Sequence, residues 1–248
     1  MADPLLRIHG LAVGYKRLPV LHDVSLGIAA AESIGLVGAN GAGKTTLLRA
    51  ISGVLPAWAG TIEFDGRDIG RWPAEKVARR GLAHVPQDRH VFPDLTVAEN
   101  LSIGATPALR NGLSRAEASA RAAHWLDRFP LLARRSDQPA GLLSGGEQQM
   151  LVICRALMAR PKLVLLDEPL LGLAPVAQQQ CLELLAELQR EGLTMLVVDQ
   201  DADRLRGVVP RLYRLEYGEV TETPASEARK DEPAGIAGSA IDSDNRRL

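Results

Sequence analysis

Residues 38–46 read Gly-Ala-Asn-Gly-Ala-Gly-Lys-Thr-Thr, and the reading of this run decides the fold. From Gly38 to Thr45 it fits the spacing G-x-x-x-x-G-K-[ST]. An apolar, strand-like segment, Ile34-Gly35-Leu36-Val37, precedes it, and a helical one, Thr45-Thr46-Leu47-Leu48-Arg49-Ala50, follows. Gly38, Gly41 and Gly43 let the backbone wrap close to a polyphosphate with no Cβ in the way. The free N–H groups at the helix start, with the helix dipole behind them, favour negative charge. In such a loop Lys44 reaches the β- and γ-phosphates and the Thr45 hydroxyl ligates Mg²⁺. Asn40 and Thr46 lie in the same run and join the candidate set. The expectation is an α/β nucleotide-binding domain of the P-loop type.

The bulk properties agree. A chain of 248 residues with 46% hydrophobic content can bury one large core. A formal net charge of −1 argues against a nucleic-acid binder held by a basic face. Cys154 and Cys181 are the only two cysteines and read as buried apolar residues of a reduced protein. The N-terminus, Met-Ala-Asp-Pro-Leu-Leu-Arg, has neither a basic region nor a long apolar core, so no signal peptide is expected. No apolar run approaches the roughly 18 residues of a membrane span.

Along the chain, residues 5 to 37 read as short strands between turns, with further strands at Thr61–Phe64 and Gly81–Val85. From about 96 to 158 the pattern turns helical. Three segments there open with Ser/Thr-x-x-Glu, at Thr96/Glu99, Ser114/Glu117 and Ser144/Glu147, the spacing of a capping box. After 160 the rhythm is strand (163–167), helix (176–190), strand (194–198), short helix (201–207) and strand (211–216). That alternation implies a mainly parallel sheet with helices on both faces. Residues 222–248 are rich in Ala, Ser, Asp, Glu and Gly and lack aromatics. They are expected to form a disordered tail.

Leu163-Val-Leu-Leu-Asp167-Glu168-Pro169 is an apolar strand ending in two carboxylates. Strand alternation aims the two in different directions. Asp167 suits the Mg²⁺ shell, and Glu168 suits a general base for an attacking water. Leu143-Ser144-Gly145-Gly146-Glu147 offers a second anion site at a helix start. Capping explains Ser144 and Glu147 but asks for neither glycine.

With these motifs in this order, residues 5 to 220 resemble the ATP-binding subunits of ABC transporters. The resemblance implies a domain over 1–221 with a mainly parallel core sheet, an antiparallel N-terminal β subdomain and a helical subdomain at about 88–158. It also implies that two ATP molecules, with Mg²⁺, are sandwiched in a dimer, so that Ser144, Gly145 and Gly146 act on ATP held by the partner's phosphate loop. Tyr15 matches the aromatic that stacks on adenine, and Gln87 the glutamine whose carbonyl contacts Mg²⁺ and the water. Val91 and Phe92 would face a permease helix. The implied partners are a second ATP-binding subunit, a heterodimer or a homodimer, two transmembrane permease subunits and, indirectly, a substrate-binding protein. The implied location is peripheral, on the cytoplasmic face of the plasma membrane.

The chain departs from the family pattern at two places. All five histidines (His9, His22, His84, His90 and His124) precede Asp167, so the histidine expected after the strand at 194–198 is replaced by Gln200. An amide can donate to a γ-phosphate but cannot take up charge as imidazole does. Hydrolysis is still expected from Glu168, at an altered rate. The loop Leu170-Leu-Gly-Leu-Ala-Pro175 lacks the usual initial Ser and the Asp near its end. Glu147-Gln-Gln-Met150, Gly172-Leu-Ala-Pro175, Val91-Phe-Pro-Asp-Leu-Thr-Val97 and Gln200 together resemble the branched-chain amino-acid importer branch, with urea and short-chain amide importers beside it. Leu170 and Asp88 are less expected in that branch than Ser and Gly. A soluble regulatory ABC protein without a permease and a non-hydrolysing ATP clamp are the rival readings.

Overall fold

The computed structural model describes residues 3–224. The chain begins with strands β1 (Leu6–Tyr15), β2 (Leu18–Ile28) and β3 (Ser33–Val37), helix α1 (Lys44–Ile51) and strands β4 (Ala59–Phe64) and β5 (Arg67–Asp68). β1 pairs antiparallel with β2 on one edge and with β4 on the other, giving a four-stranded sheet in the order β2-β1-β4-β5. After helix α2 (Ala74–Arg79) and strand β6 (Leu82–Val85), helices α3 (Val97–Gly104), α4 (Thr106–Arg110), α5 (Arg115–Arg128), α6 (Pro130–Ala133) and α7 (Gly145–Leu157) follow in succession. Then come β7 (Leu163–Asp167), α8 (Pro175–Arg190), β8 (Thr194–Asp199), α9 (Ala202–Leu205), β9 (Arg211–Glu216) and β10 (Glu219–Pro224). The second sheet runs β10-β9-β3-β8-β7-β6, with every pairing parallel except β10 on β9.

Strand alternation sets the layers. Leu163 and Leu165 of β7, with Leu196 and Val198 of β8, face α1 and the antiparallel sheet. Val164 and Leu166, with Met195 and Val197, face α7 and α8. Both faces of the parallel sheet are therefore covered, which is why its central strands β3, β7 and β8 are buried at every position and carry polar side chains only at their ends. Helix α1 lies between the two sheets, with Leu47, Leu48 and Ile51 fully buried. All three sequence-expected capping boxes form: Thr96, Ser114 and Ser144 each accept from the backbone N–H three residues on, and each Glu reaches back.

Three features differ from the sequence expectation. Helix α2 was not expected. Glu222 to Pro224 are not the start of a tail: their backbone pairs with Tyr213 to Arg211 of β9, because an antiparallel hairpin through Tyr217 and Gly218 carries the strand outward. The rest of the expected tail, 225–248, lies outside the described residues. Leu170, at the family's Ser position, is fully buried in the core on the α7–α8 side.

Candidate functional site

In the parallel sheet, β3, β8, β7 and β6 are neighbours. Their carboxyl ends therefore open on one edge, and the segments that leave them meet there. The segment after β3 carries Gly38 to Lys44, that after β6 carries Gln87, that after β7 carries Glu168, and that after β8 carries Gln200.

The loop after β3 is held by tight packing as much as by glycine flexibility. A Cβ on Gly38 would come 2.4 Å from the Leu215 carbonyl oxygen of β9. The neighbouring strand alone therefore requires a glycine there. Gly43 caps α1 with φ 110°, a backbone that side chains disfavour. The Lys44 ammonium, 5% exposed, donates to the carbonyls of Gly38 (2.8 Å) and Ala39 (3.1 Å) and lies 3.3 Å from Glu168 Oε1.

Glu168 is the hub. Its side chain is 7% exposed, and its Oε2 accepts from Gln200 Nε2 (3.0 Å) and Gln87 Nε2 (3.3 Å). The strand alternation expected to separate Glu168 from Asp167 is not what aims it. Glu168 has left β7 and stands at φ 46°, a left-handed conformation that costs of order 1–3 kcal/mol for a residue with a side chain. Its N–H still donates to Val198 O at 3.0 Å, which fixes the turn.

Asp167 shares a face with Leu163 and Leu165 and so points toward the start of α1. Its carboxyl is buried, and a hydrogen bond links it to Thr45. Burial pushes its pKa above the ordinary value, nearby Glu168 pushes the same way, and Thr45 and Lys44 oppose the shift. Asp167 Oδ1 is buried without a hydrogen-bond partner. An anionic oxygen left bare beside a hydroxyl fits a hard divalent cation, which takes oxygen ligands and fills its shell from phosphates and water. No cluster of three or more His, Cys, Asp or Glu suited to a metal occurs among the described residues. These two groups would thus share the cation with a ligand.

Tyr15, Asn40, Gly41, Gly43, Lys44, Thr45, Thr46, Gln87 and Glu168 line one cavity of about 340 Å³. Tyr15 is 41% exposed at the end of β1, and its hydroxyl accepts from Arg49 Nη1 at 3.0 Å. Glu168 and Gln200 also border a second, smaller hollow of about 230 Å³ with Asp199, Asp201 and Arg204. Ser144, Gly145 and Gly146 line neither of them. The two glycines have reasons within the chain: a Cβ on Gly146 would come 2.6 Å from the Ala177 Cβ of α8, and one on Gly145 would come 2.7 Å from Arg89 Nη1.

Sequence reasoning missed Asp199. It is buried at the end of β8, and its Oδ1 accepts from the N–H groups of Gln200 (2.7 Å) and Asp201 (3.0 Å). Desolvation raises its pKa, and those two N–H groups oppose the rise. The turn thus built aims the Gln200 amide at Glu168. An Asp at a strand end followed by polar residues was the available signal, since that pattern favours such a turn.

Comparison with known proteins gives the following. A family model described as ABC transporter matches residues 21–171. The high-affinity branched-chain amino acid transport ATP-binding protein BraG of Pseudomonas aeruginosa is 41% identical over 216 residues, covering 87% of this chain and 91% of that protein. The lipopolysaccharide export system ATP-binding protein LptB of Escherichia coli K12 is 37% identical, covering 86% and 87%. Among solved structures, a dimeric ATP-binding cassette in a post-hydrolysis state with ADP and phosphate superimposes with TM-score 0.78 at 27% identity, covering 89% of this chain and 98% of that one.

Proposed function

Because the chain belongs to the ABC transporter family of ATP-hydrolysing subunits, we propose that it powers an importer of branched-chain amino acids. Its two ATP sites are completed by a second ATP-binding subunit, and separate permease subunits carry the substrate. The observation that carries the chemistry is the convergence of Lys44, Gln87 and Gln200 on the buried Glu168 carboxylate. Glu168 is the general base, able to take a proton from a water between it and the γ-phosphate. Gln200 and Gln87 orient that carboxylate, and Lys44 carries the charge that meets the phosphates. Thr45 and Asp167, with Gln87 at the edge, are the residues to hold Mg²⁺. When bound, that ion neutralises developing phosphate charge.

Tyr15 supplies the adenine platform, and Gly38, Asn40, Gly41, Gly43 and Thr46 the wall and amides around the phosphates. Ser144, Gly145 and Gly146 serve the partner's nucleotide. Their place outside the cavity that holds Lys44 supports a site that one chain leaves open, and a dimeric relative supports the same reading. The domain extends through β10 to Pro224, with 88–158 as its helical unit.

A groove of about 380 Å³ supports the permease as a partner. Val54, Ala78, His84, Phe92, Ile103 and Arg155 are among its walls, and Val54, Phe92 and Ile103 expose apolar side chains there. It suits the apolar face of a short cytoplasmic helix of a membrane subunit. No helix among the described residues is long and apolar enough to cross a membrane; docking on the permease would hold the chain at the cytoplasmic face. The likeness to BraG and the Gln200 and Gly172-Leu-Ala-Pro175 pattern favour amino-acid import. The likeness to LptB favours an exporter as the second reading.

The chemistry is tested by the turnover of Glu168→Gln and Lys44→Ala proteins, expected to fall at least a hundredfold. Undiminished hydrolysis by Glu168→Gln removes the general base. Uptake of labelled leucine by a strain lacking the chain tests the substrate, and unchanged uptake rejects amino-acid import.

A further inference from the structure

Arg89 lies two residues beyond Gln87, and both it and His90 stand in the left-handed region, at φ 61° and 43°. Two successive residues with side chains in that region store strain, which persists only where surrounding contacts hold it. Those contacts are specific. The Arg89 guanidinium donates through Nη2 to the carbonyls of Leu171 (3.2 Å) and Gly172 (3.4 Å), in the loop that follows Glu168. The same guanidinium covers Gly145, at the first turn of α7. Behind it, Arg155 of α7 donates to His90 O at 2.7 Å and to Asn100 Oδ1 at 3.2 Å. Asn100, fully buried, in turn accepts from Phe92 N–H and donates to Phe92 O. The segment from Gln87 to Phe92 is therefore fastened to α7 near both ends of that helix, and to the post-Glu168 loop between them.

We propose that Arg89 is a positioning residue that clamps the Gln87 segment to the post-Glu168 loop and to Gly145, so that nucleotide held at the phosphate loop is felt at Ser144–Gly146. The proposal rests on the nucleotide reading above. Gln87 touches Glu168 on one side of the segment, and Arg89 touches Gly145 two residues later. A shift of the first moves the second, because one end of the guanidinium, Nη2, is shared by the Leu171 and Gly172 carbonyls while the other, Nη1, lies over Gly145. Gly145 leaves room for the clamp's guanidinium, which a Cβ would have to push aside. That is a reason within one chain, separate from any approach of the partner's phosphate.

Amide hydrogen exchange on the full chain, with and without Mg²⁺ and ATP, tests this. In the parent protein ATP should slow exchange both at 38–46 and at 144–148. In Arg89→Ala the affinity for ATP and the protection at 38–46 should be retained, while protection at 144–148 is lost and exchange at 171–173 quickens about tenfold. Arg89→Lys keeps the charge and a donor for the loop carbonyls but lacks the second nitrogen over Gly145, and should recover protection only in part. Gly145→Ala, whose Cβ would evict the guanidinium, should reproduce the faster exchange at 171–173, and the double variant should add nothing further. Protection at 144–148 that survives in Arg89→Ala, or is absent in the parent while 38–46 is protected, overturns the clamp. Absence of protection at both places together with no ATP binding overturns the nucleotide reading itself.

Discussion

Acidification should destabilise this domain through one histidine. His84 sits on β6 with its Nδ1 3.2 Å from Ser52 Oγ, while its Nε2 is buried with no partner. Desolvation, with the Arg49 charge adding to it, lowers the His84 pKa from 6.5 to about 4. In the unfolded chain the ring takes a proton near 6.5, whereas in the folded chain it resists until about 4. The unfolded state thus binds more protons across that window, and stability is full above about 6.5 and lost as pH falls toward 4. At 1.36 kcal/mol per tenfold, the whole effect is about 3 kcal/mol, of which about 2 kcal/mol is gone by pH 5. For a domain of this size that lowers Tm by roughly 4–8 °C. Urea unfolding from pH 7.5 to 5, on the parent and on His84→Asn, isolates the term. The variant is expected to be less stable at pH 7.5, because a ring's volume is lost, yet to lose about 2 kcal/mol less on acidification. A variant whose stability falls with pH as steeply as the parent's refutes the assignment.

Three further outcomes follow from the site and its surroundings. Asp167→Asn should abolish turnover and yet raise Tm, because the raised Asp167 pKa means that folding loses stability as pH climbs above the ordinary carboxylate value; a lowered Tm in differential scanning calorimetry contradicts this. Leu170→Ser, which restores the family's residue, should cost about 3 kcal/mol in urea unfolding because Leu170 is fully buried; a loss below about 1 kcal/mol would show that the loop repacks. Ser114→Ala removes the cap of α5 and should cost about 1 kcal/mol with turnover unchanged, so a fall in hydrolysis would tie α5 to the site.

Legibility in the sequence followed the range of the interactions. The three capping boxes were readable because a cap involves residues three apart, and the apolar strands 163–167 and 194–198 because burial on both faces removes polar positions. Helix α2 was hidden since Val77 is its only buried residue and Pro73 its cap, leaving neither period nor capping side chain to read. β10 was hidden because Glu-Val-Thr-Glu-Thr-Pro resembles a polar tail until β9 lies alongside to pair with it. Leu170 was read as a departure from a family loop, when its apolar side chain belongs to the core.

The site itself was legible as a set of parts and as a place, but not as a set of contacts. A repeated strand–helix alternation already requires parallel strands, and parallel strands require that the segments after 37, 85, 167 and 199 open on the same edge. Lys44, Gln87, Glu168 and Gln200 could therefore be brought to one edge from sequence alone. What sequence could not supply is the order of strands along the sheet, β3-β8-β7-β6, which decides who touches whom. With β7 between β8 and β6, the residue after β7 is flanked by those after β8 and β6, so Glu168 accepts from both Gln200 and Gln87. Had β7 been at the edge, Glu168 could meet only one of them. The loss of the family's histidine bears on this point. Gln200 keeps the flanking contact through its amide, while the capacity to gain and lose a proton at that position is gone, which leaves the proposed general-base role to the Glu168 carboxylate alone.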